Sequence, residues 1–140
     1  MPTELEVRAD YQGGMRLIAG DDEHTVTVDY PLEPGQAVEG LTPLKLLLVS
    51  LAGCAGNTIP LLLARRGQTL SGFKVIARGY RRDEHPTVLT RIDVEFVLRG
   101  DDLDREVVER CISYAEERLC PVWAMLRPAT PIATSYRIEA

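Results

Sequence analysis

The chain has 140 residues, of which 45% are hydrophobic and 26% are charged, and its formal net charge at pH 7 is -5. These values are typical of one folded domain over residues 1–140 that needs no disulfide or metal to fold. An acidic chain with scattered basic residues is not expected to bind nucleic acid or an anionic membrane. The first ten residues are polar and acidic, so we expect no secretory signal and a cytoplasmic protein.

The N-terminal third of the chain predicts an antiparallel meander of three short strands. The first strand is expected over residues 5–9, and a glycine turn leads into a second strand that begins near Leu17. The third, over residues 25–30, alternates polar and apolar side chains, as a half-buried strand does. Residues 31–40 contain two prolines and two glycines, which favour a loop.

A long apolar helix is predicted over residues 44–66. Thr42 can cap its first turn, and Pro43 suits the first helical position because it lacks an N–H that would need a partner there. Pro60 is expected to kink the helix, since it removes one backbone hydrogen bond. Gly67 is expected to end it.

The apolar character of this helix leaves two interpretations. Its length permits a single membrane span, but Asn57 and Pro60 lie in the middle of the segment and are costly in lipid. We therefore favour a helix that is buried on all sides. One sheet can cover only one of its faces, so a copy of the same helix in a two-fold mate is the expected cover for the other.

The second half of the chain predicts further strands over residues 73–81 and 90–98. An amphipathic helix follows, with apolar residues at helical spacing from Val107 to Leu119. A short apolar turn over residues 122–126 leads to a closing strand over residues 134–139. The predicted order is βββ-α-ββ-α-β, an α+β fold with a mostly antiparallel sheet around a long central helix.

Three cysteines offer the most reactive chemistry in the chain. Cys54 lies between small residues in the long helix, and Cys120 directly precedes a proline at a helix end, whereas Cys111 occupies an apolar, structural position. An odd number of cysteines is not typical of a secreted disulfide framework. His24 and His85 stand alone and no CxxC motif is present, so no zinc site is predicted.

Two segments around these cysteines resemble the OsmC/Ohr family, the osmotically induced and organic hydroperoxide resistance proteins. They are Thr42-Pro-Leu-Lys-Leu-Leu-Leu-Val-Ser-Leu-Ala-Gly-Cys54 and Leu119-Cys-Pro-Val122. Supporting matches are Gly72-Phe-Lys-Val, Ile92-Asp-Val-Glu-Phe and Ser135-Tyr-Arg-Ile. The resemblance extends over the whole chain in order, and it implies an OsmC-like fold and an intertwined homodimer.

What the resemblance implies for function is a thiol-dependent peroxidase of oxidative stress defence. Cys54 would attack an organic hydroperoxide and become a sulfenic acid, and Cys120 would condense with it to a disulfide. A small dithiol or a lipoylated protein would reduce that disulfide. The resemblance implies no metal, flavin or haem cofactor.

The family activates its reactive cysteine with an arginine that a glutamate holds. A cation is useful there because the thiolate, not the thiol, is the nucleophile. Arg16, in the N-terminal hairpin, is the expected arginine. Leu44 occupies the position at which the family pattern has its glutamate. Two alternatives follow: either Glu39 or Glu33, in the preceding loop, serves instead, or the arginine is not held in place.

Two other functions stay open at this point. The dimer could bind an apolar small molecule, such as a lipid, with little or no peroxidase turnover, and the missing glutamate at Leu44 favours this alternative. It could also be a relative of the family whose two thiols are unreactive. The retained pair Cys54 and Cys120 favours the peroxidase.

Overall fold

The computed structural model describes residues 2–140 and resolves into two compact units, residues up to Leu47 and residues 48–140. The strands are β1 (Arg8–Gly13), β2 (Arg16–Gly20), β3 (Thr25–Val28), β4 (Gly72–Arg81), β5 (Leu89–Arg99) and β6 (Ile132–Glu139). The helices are α1 (Pro43–Gly56), α2 (Ile59–Ala64), α3 (Arg105–Tyr114), a π-helix (Ala115–Leu119) and α4 (Pro121–Leu126). This is the predicted α+β fold, whereas the single domain over 1–140 stays a prediction.

The first unit contains the predicted meander, in which β2 pairs antiparallel with β1 and β3. The turn between β1 and β2 needs Gly13 and Gly14, because both have positive φ angles, of 106° and 55°. The expected first strand over 5–9 is wrong in its bounds. β1 starts at Arg8 because Arg8 pairs with Gly20, the last residue of β2, and earlier residues therefore have no strand to pair with.

The second unit contains a separate three-stranded sheet of order β4-β5-β6. β4 and β5 form a long antiparallel hairpin, as predicted, and the inner face of β5 is almost fully buried. The side chains on that face are Ile92, Val94, Phe96 and Leu98, none more than 1% exposed. β6 pairs parallel with β5, which period-two patterning does not reveal. A parallel pair needs a long crossover connection, and here α3, the π-helix and α4 form it.

The predicted long helix is two helices, with residues 57–58 between them. Pro60 explains the break, because a proline ring clashes with the carbonyl four residues earlier, which is that of Gly56, the last residue of α1. Pro60 instead lies in the first turn of α2, where a backbone N–H would have no partner within the helix. The kink that Pro60 was expected to cause is therefore a short break between two helices, across which Asn57 still donates to Gly53 and Leu62 to Thr58.

By length and composition alone, residues 43–64 could cross a membrane, but the core helix of a soluble protein passes the same test. Several side chains of these two helices are fully buried within the protein: Leu51, Ala55, Ile59 and Leu63 are 0% exposed. Others are largely exposed, and Val49 and Leu61 show 55% and 52% of their surface. The helices therefore have one packed side and one open side.

Candidate functional site: a pair of thiols and an anchored arginine

Cys54 lies in the last turn of α1, two residues before the helix ends, and is half-buried. The small residues around it have different roles. A Cβ atom on Gly56 would lie 2.4 Å from Cγ2 of Val75 on β4, so only glycine lets α1 approach the sheet this closely. A Cβ atom on Gly53 would meet no atom within 4 Å. Close approach of the sheet therefore explains Gly56 but not Gly53.

Cys120 is held at the junction of two helices. Its N–H donates to the carbonyl of Ala115 at 2.9 Å, which is the i→i−5 bond of a π-helix. Its own backbone is extended, with φ of −90° and ψ of 101°, and it forms the N-cap of α4. The Cys120 sulfur accepts the N–H of Trp123 at 3.3 Å. The residue is only 3% exposed, and this hydrogen bond fixes the direction of its sulfur.

The structure brings Cys54 and Cys120 together, since their side chains are hydrogen-bonded to each other and both are free thiols. Burial raises the pKa of Cys120 to about 11, and the hydrogen bond to Cys54 adds to this effect, while the N–H of Trp123 opposes it. Cys120 therefore holds its proton at neutral pH. Two thiols in such contact can form a disulfide when an oxidant removes two electrons.

Cys111 is separate from this pair. It lies in α3 and is 1% exposed, and its burial raises the pKa of its thiol above the usual value. Within residues 2–140 it forms no disulfide and no hydrogen bond with either of the other cysteines. An inert, buried thiol is a small hydrophobic side chain, which agrees with the structural position expected for Cys111.

Arg16 is the first residue of β2, and it is ion-paired within the first unit. Its Nη1 lies 2.7 Å from Oε2 of Glu39. Glu39 is itself anchored, because its backbone N–H donates to Oδ2 of Asp29 at 3.0 Å. Asp29 is 9% exposed and also accepts the N–H of Tyr30 at 2.8 Å. The pKa of Asp29 lies below its usual value, chiefly because of the N–H of Glu39, with Arg16 contributing.

Of the two carboxylates considered from the sequence, Glu39 pairs with Arg16 and Glu33 does not. The carbonyl of Glu33 accepts the N–H of Gln36 in a turn, and its carboxylate forms no ion pair anywhere in residues 2–140. Leu44, at the position of the family glutamate, is half-buried in the first turn of α1. Sequence reasoning missed Asp29. The available signal was a single acidic residue at the end of an alternating strand, where a polar side chain needs a specific partner.

No group of three or more histidine, cysteine or acidic side chains in the described chain is arranged to hold a metal ion. The chemistry of the described residues is therefore that of two hydrogen-bonded thiols in the second unit and an anchored arginine in the first. These features define a small α+β dithiol protein. The family model described as OsmC-like protein matches residues 34–135, and the chain belongs to the OsmC-like family.

The chain is similar to three further proteins in sequence or in fold. Protein YhfA of Escherichia coli is 29% identical over 99 residues, which cover 71% of this chain and 74% of that protein. The OsmC-like protein of Mycoplasma pneumoniae superposes with a TM-score of 0.85 at 19% identity, over the whole of both chains. The organic hydroperoxide resistance protein OhrB of Bacillus subtilis gives a TM-score of 0.63 at 20% identity, covering 94% of this chain and 96% of that one. At these identities the two structures establish the fold.

Proposed function

We propose that this protein is a thiol peroxidase that reduces organic hydroperoxides. The observation that carries the proposal is the hydrogen-bonded pair of free thiols, Cys54 and Cys120. Membership of the OsmC-like family supports it, as does the similarity in fold to a protein named for organic hydroperoxide resistance.

The proposed reaction uses the two thiols in order. The Cys54 thiolate attacks one oxygen of the O–O bond, the bond breaks, and the leaving alkoxide takes a proton to become an alcohol. Cys54 is then a sulfenic acid. The Cys120 sulfur attacks the Cys54 sulfur, water leaves, and a disulfide forms. An external small dithiol or lipoylated protein returns two electrons and two protons, which restores both thiols.

The roles follow from accessibility and protonation. Cys54 is half-buried, whereas Cys120 is 3% exposed, so a substrate reaches Cys54 more readily. Burial and the bond to Cys54 raise the pKa of Cys120, and a protonated thiol is a poor nucleophile. Cys120 therefore suits the second step, in which it attacks a sulfur that is already beside it.

We propose Arg16 as the cation that favours the Cys54 thiolate, and Glu39 as the carboxylate that orients Arg16. The 2.7 Å ion pair supports this assignment, as does the bond from the Glu39 backbone to the carboxylate of Asp29. A charge-assisted pair restricts the guanidinium to one direction. In this proposal Glu39 replaces the glutamate that the family pattern has at Leu44.

We also propose that the protein works as a cytoplasmic homodimer. The open side of the 43–64 segment supports this, because Val49 and Leu61 are more than half exposed, and apolar helix faces of this kind are normally covered. Light scattering at low micromolar concentration should give twice the chain mass of 15.6 kDa. A stable monomer would contradict the dimer.

Thiol counting after one equivalent of cumene hydroperoxide tests the reaction. The wild-type protein should lose two thiols and yield a peptide that links Cys54 to Cys120. Cys54→Ser should consume no peroxide. Cys120→Ser should react once and leave a sulfenic acid on Cys54 that dimedone traps. Cys111→Ser is the matched control and should behave as wild type.

The binding of an apolar small molecule is the second candidate function, and Leu44 is the observation that favours it. Without a carboxylate at that position, the arginine that activates the thiol loses its usual partner. Unchanged thiol counts in the wild-type protein after cumene hydroperoxide would contradict the peroxidase. Saturable binding of a fatty acid by the same sample would then establish the alternative.

A further inference from the structure

Thr58 carries the only buried side-chain oxygen or nitrogen in residues 2–140 that has no hydrogen-bond partner. Its Oγ1 atom is fully buried and unpartnered. A buried hydroxyl without a partner is unfavourable, by about 1–3 kcal/mol in mutational data. Threonine at this position therefore has a cost that valine, which has nearly the same shape, would avoid.

Thr58 makes neither of the two hydrogen bonds that a threonine side chain usually makes in or beside a helix. A threonine within a helix commonly donates to the carbonyl four residues earlier, which here belongs to Cys54, and Thr58 forms no such bond. Thr58 is also the N-cap residue of α2, but its side chain makes no capping bond. Its backbone has helical angles, φ of −92° and ψ of −14°, whereas capping residues usually have extended ones.

The position of Thr58 places its side chain near the candidate thiol. It follows Cys54 by four residues, and residues so spaced along a helical segment lie on one face, with Cβ atoms about 5–6 Å apart. The backbone stays helical here, since Asn57 donates to Gly53 and Leu62 donates to Thr58. Helical side chains also tilt towards the N-terminus, so the Thr58 side chain extends towards the turn that contains Cys54.

We infer that the Thr58 hydroxyl is a hydrogen-bond donor to the Cys54 sulfur in its ionised form. The inference rests on the proposed function, in which Cys54 is the attacking thiolate. A thiolate accepts more than one hydrogen bond, and the Cys120 thiol provides one. Thr58 provides a second from within the same helical segment. In the structure this hydroxyl has no partner, so a rotation of the Thr58 side chain about its Cα–Cβ bond brings it to the sulfur when the charge forms.

The pH dependence of Cys54 alkylation by iodoacetamide tests this role without any peroxide. Wild type, Thr58→Val and Thr58→Ser are compared, each carrying Cys111→Ser so that no third thiol interferes. The valine variant should shift the midpoint of alkylation upwards by about one pH unit, because one hydrogen bond to a charged group is lost. The serine variant, which keeps the hydroxyl, should return the midpoint to within a few tenths of wild type.

Thermal unfolding separates this role from a structural one. Thr58→Val should unfold at the same temperature as wild type or higher, because it removes an unpartnered polar group. A folded valine variant with an unchanged alkylation midpoint would overturn the inference. If the valine variant does not fold, Thr58→Ala and Thr58→Ser give the same comparison.

The inference and the proposed function fail separately. An upward shift in Thr58→Val, in a protein that consumes no hydroperoxide, would contradict the peroxidase and support the donor role. Normal peroxide turnover with no shift in the valine variant would support the peroxidase and overturn the donor role.

Discussion

The two units of the protein differ in what they bury. Every buried apolar side chain of residues 2–140 lies after Leu48, from Leu51 to Trp123, whereas the only buried residue before it is Asp29. The first unit has instead exposed apolar side chains on its strands and loop, such as Tyr11 at 69% and Leu32 at 62%. Residues 48–140 thus hold an apolar core, and the meander is organised by backbone pairing and polar contacts.

The candidate functional residues are divided between the two units in the same way. The thiols belong to the unit with the core, where packing fixes the direction of a sulfur such as that of Cys120. The arginine belongs to the meander, where the Arg16–Glu39 ion pair and the Asp29 carboxylate fix its direction instead. A three-stranded meander without a core of its own is marginally stable. We therefore expect substitutions in the meander to change the position of the arginine without changing the packing around the thiols.

The largest expected difference between the units is in stability. Leu63→Ala removes a side chain that is 0% exposed and should lower the free energy of unfolding by about 2–5 kcal/mol. Leu32→Ala, the same change at a residue that is 62% exposed, should alter it by less than about 0.5 kcal/mol. Urea unfolding measures both. A large loss for Leu32→Ala would mean that a second copy or another partner covers the meander.

Gly53 and Gly56, which lie near Cys54, allow a second comparison of packed and open positions, this time within residues 48–140. Gly56→Ala forces a Cβ to within 2.4 Å of Val75 Cγ2, and should cost about 1–3 kcal/mol because the helix must move away from the sheet. Gly53→Ala meets nothing within 4 Å and should gain up to about 1 kcal/mol from helix propensity. Urea unfolding compares the two. Destabilisation by Gly53→Ala would show that the open side of α1 is occupied in solution.

The meander should affect the thiol through Arg16 alone. In the proposed mechanism Arg16→Ala lowers the rate of Cys54 alkylation at pH 7 by about tenfold, which corresponds to about 1.4 kcal/mol. Glu39→Gln should give part of that loss, because the amide has no charge to orient the guanidinium. Stopped-flow alkylation measures these rates.

Glu33→Gln is the matched control and should leave the rate unchanged, because Glu33 forms no ion pair in residues 2–140. Leu44→Glu should raise the rate only slightly if Glu39 already orients Arg16. If neither Arg16→Ala nor Glu39→Gln changes the rate, Arg16 does not activate Cys54, and the binding-protein alternative becomes the better one.

The smallest expected effect is a difference in the sign of the pH dependence. Hydrogen bonds from the backbone, first that of Glu39, lower the pKa of Asp29, so its contribution to stability is present above the unfolded pKa and is lost as pH falls through the folded one. Burial raises the pKa of Glu116 on the π-helix, so its contribution is present below the unfolded pKa and is lost as pH rises through the folded one.

Matched amide variants measure this difference. Asp29→Asn should destabilise the protein at neutral pH, and the loss should vanish in acid. Glu116→Gln should stabilise it at neutral pH and have no effect below the usual glutamate pKa, because Glu116 is then protonated. Urea unfolding from about pH 3 to pH 8 distinguishes the two. If both variants stabilise the protein at neutral pH, or both destabilise it, the opposite pKa shifts of Asp29 and Glu116 are contradicted.

Much of the fold could be predicted from local pattern. The alternation in residues 92–98 gave the buried face of β5, and Thr42-Pro43 gave the start of α1. The parallel pairing of β6 was not predictable in this way, because alternation is the same in parallel and antiparallel strands. The short helix α4 was missed because six residues that begin with a proline carry too little periodicity to separate a helix from a turn.

Of the candidate site, only the residues that belong to a family motif could be predicted from the sequence. The pairing of Cys54 with Cys120 followed from the family resemblance, whereas the choice between Glu39 and Glu33 depends on how the 31–40 loop folds. Asp29 fixes that loop through a backbone N–H, which no side-chain motif encodes. The sequence likewise does not show that the Thr58 hydroxyl lacks a hydrogen-bond partner, because a threonine in a helix ordinarily donates to a backbone carbonyl.

The π-helix before Cys120 lets the chain hold one extra residue without moving the two ends of the turn. A π-turn spans one residue more than the α-turn it replaces, and here it is closed by the bond from the N–H of Cys120 to the carbonyl of Ala115. Deletion of one exposed residue, such as Glu117, would let an α-turn close the same bond, so the sulfur of Cys120 would keep its direction. A single lost codon in this turn would therefore leave the two thiols together, although the same loss from a regular α-helix turns the chain after it by about 100° and shifts it by about 1.5 Å.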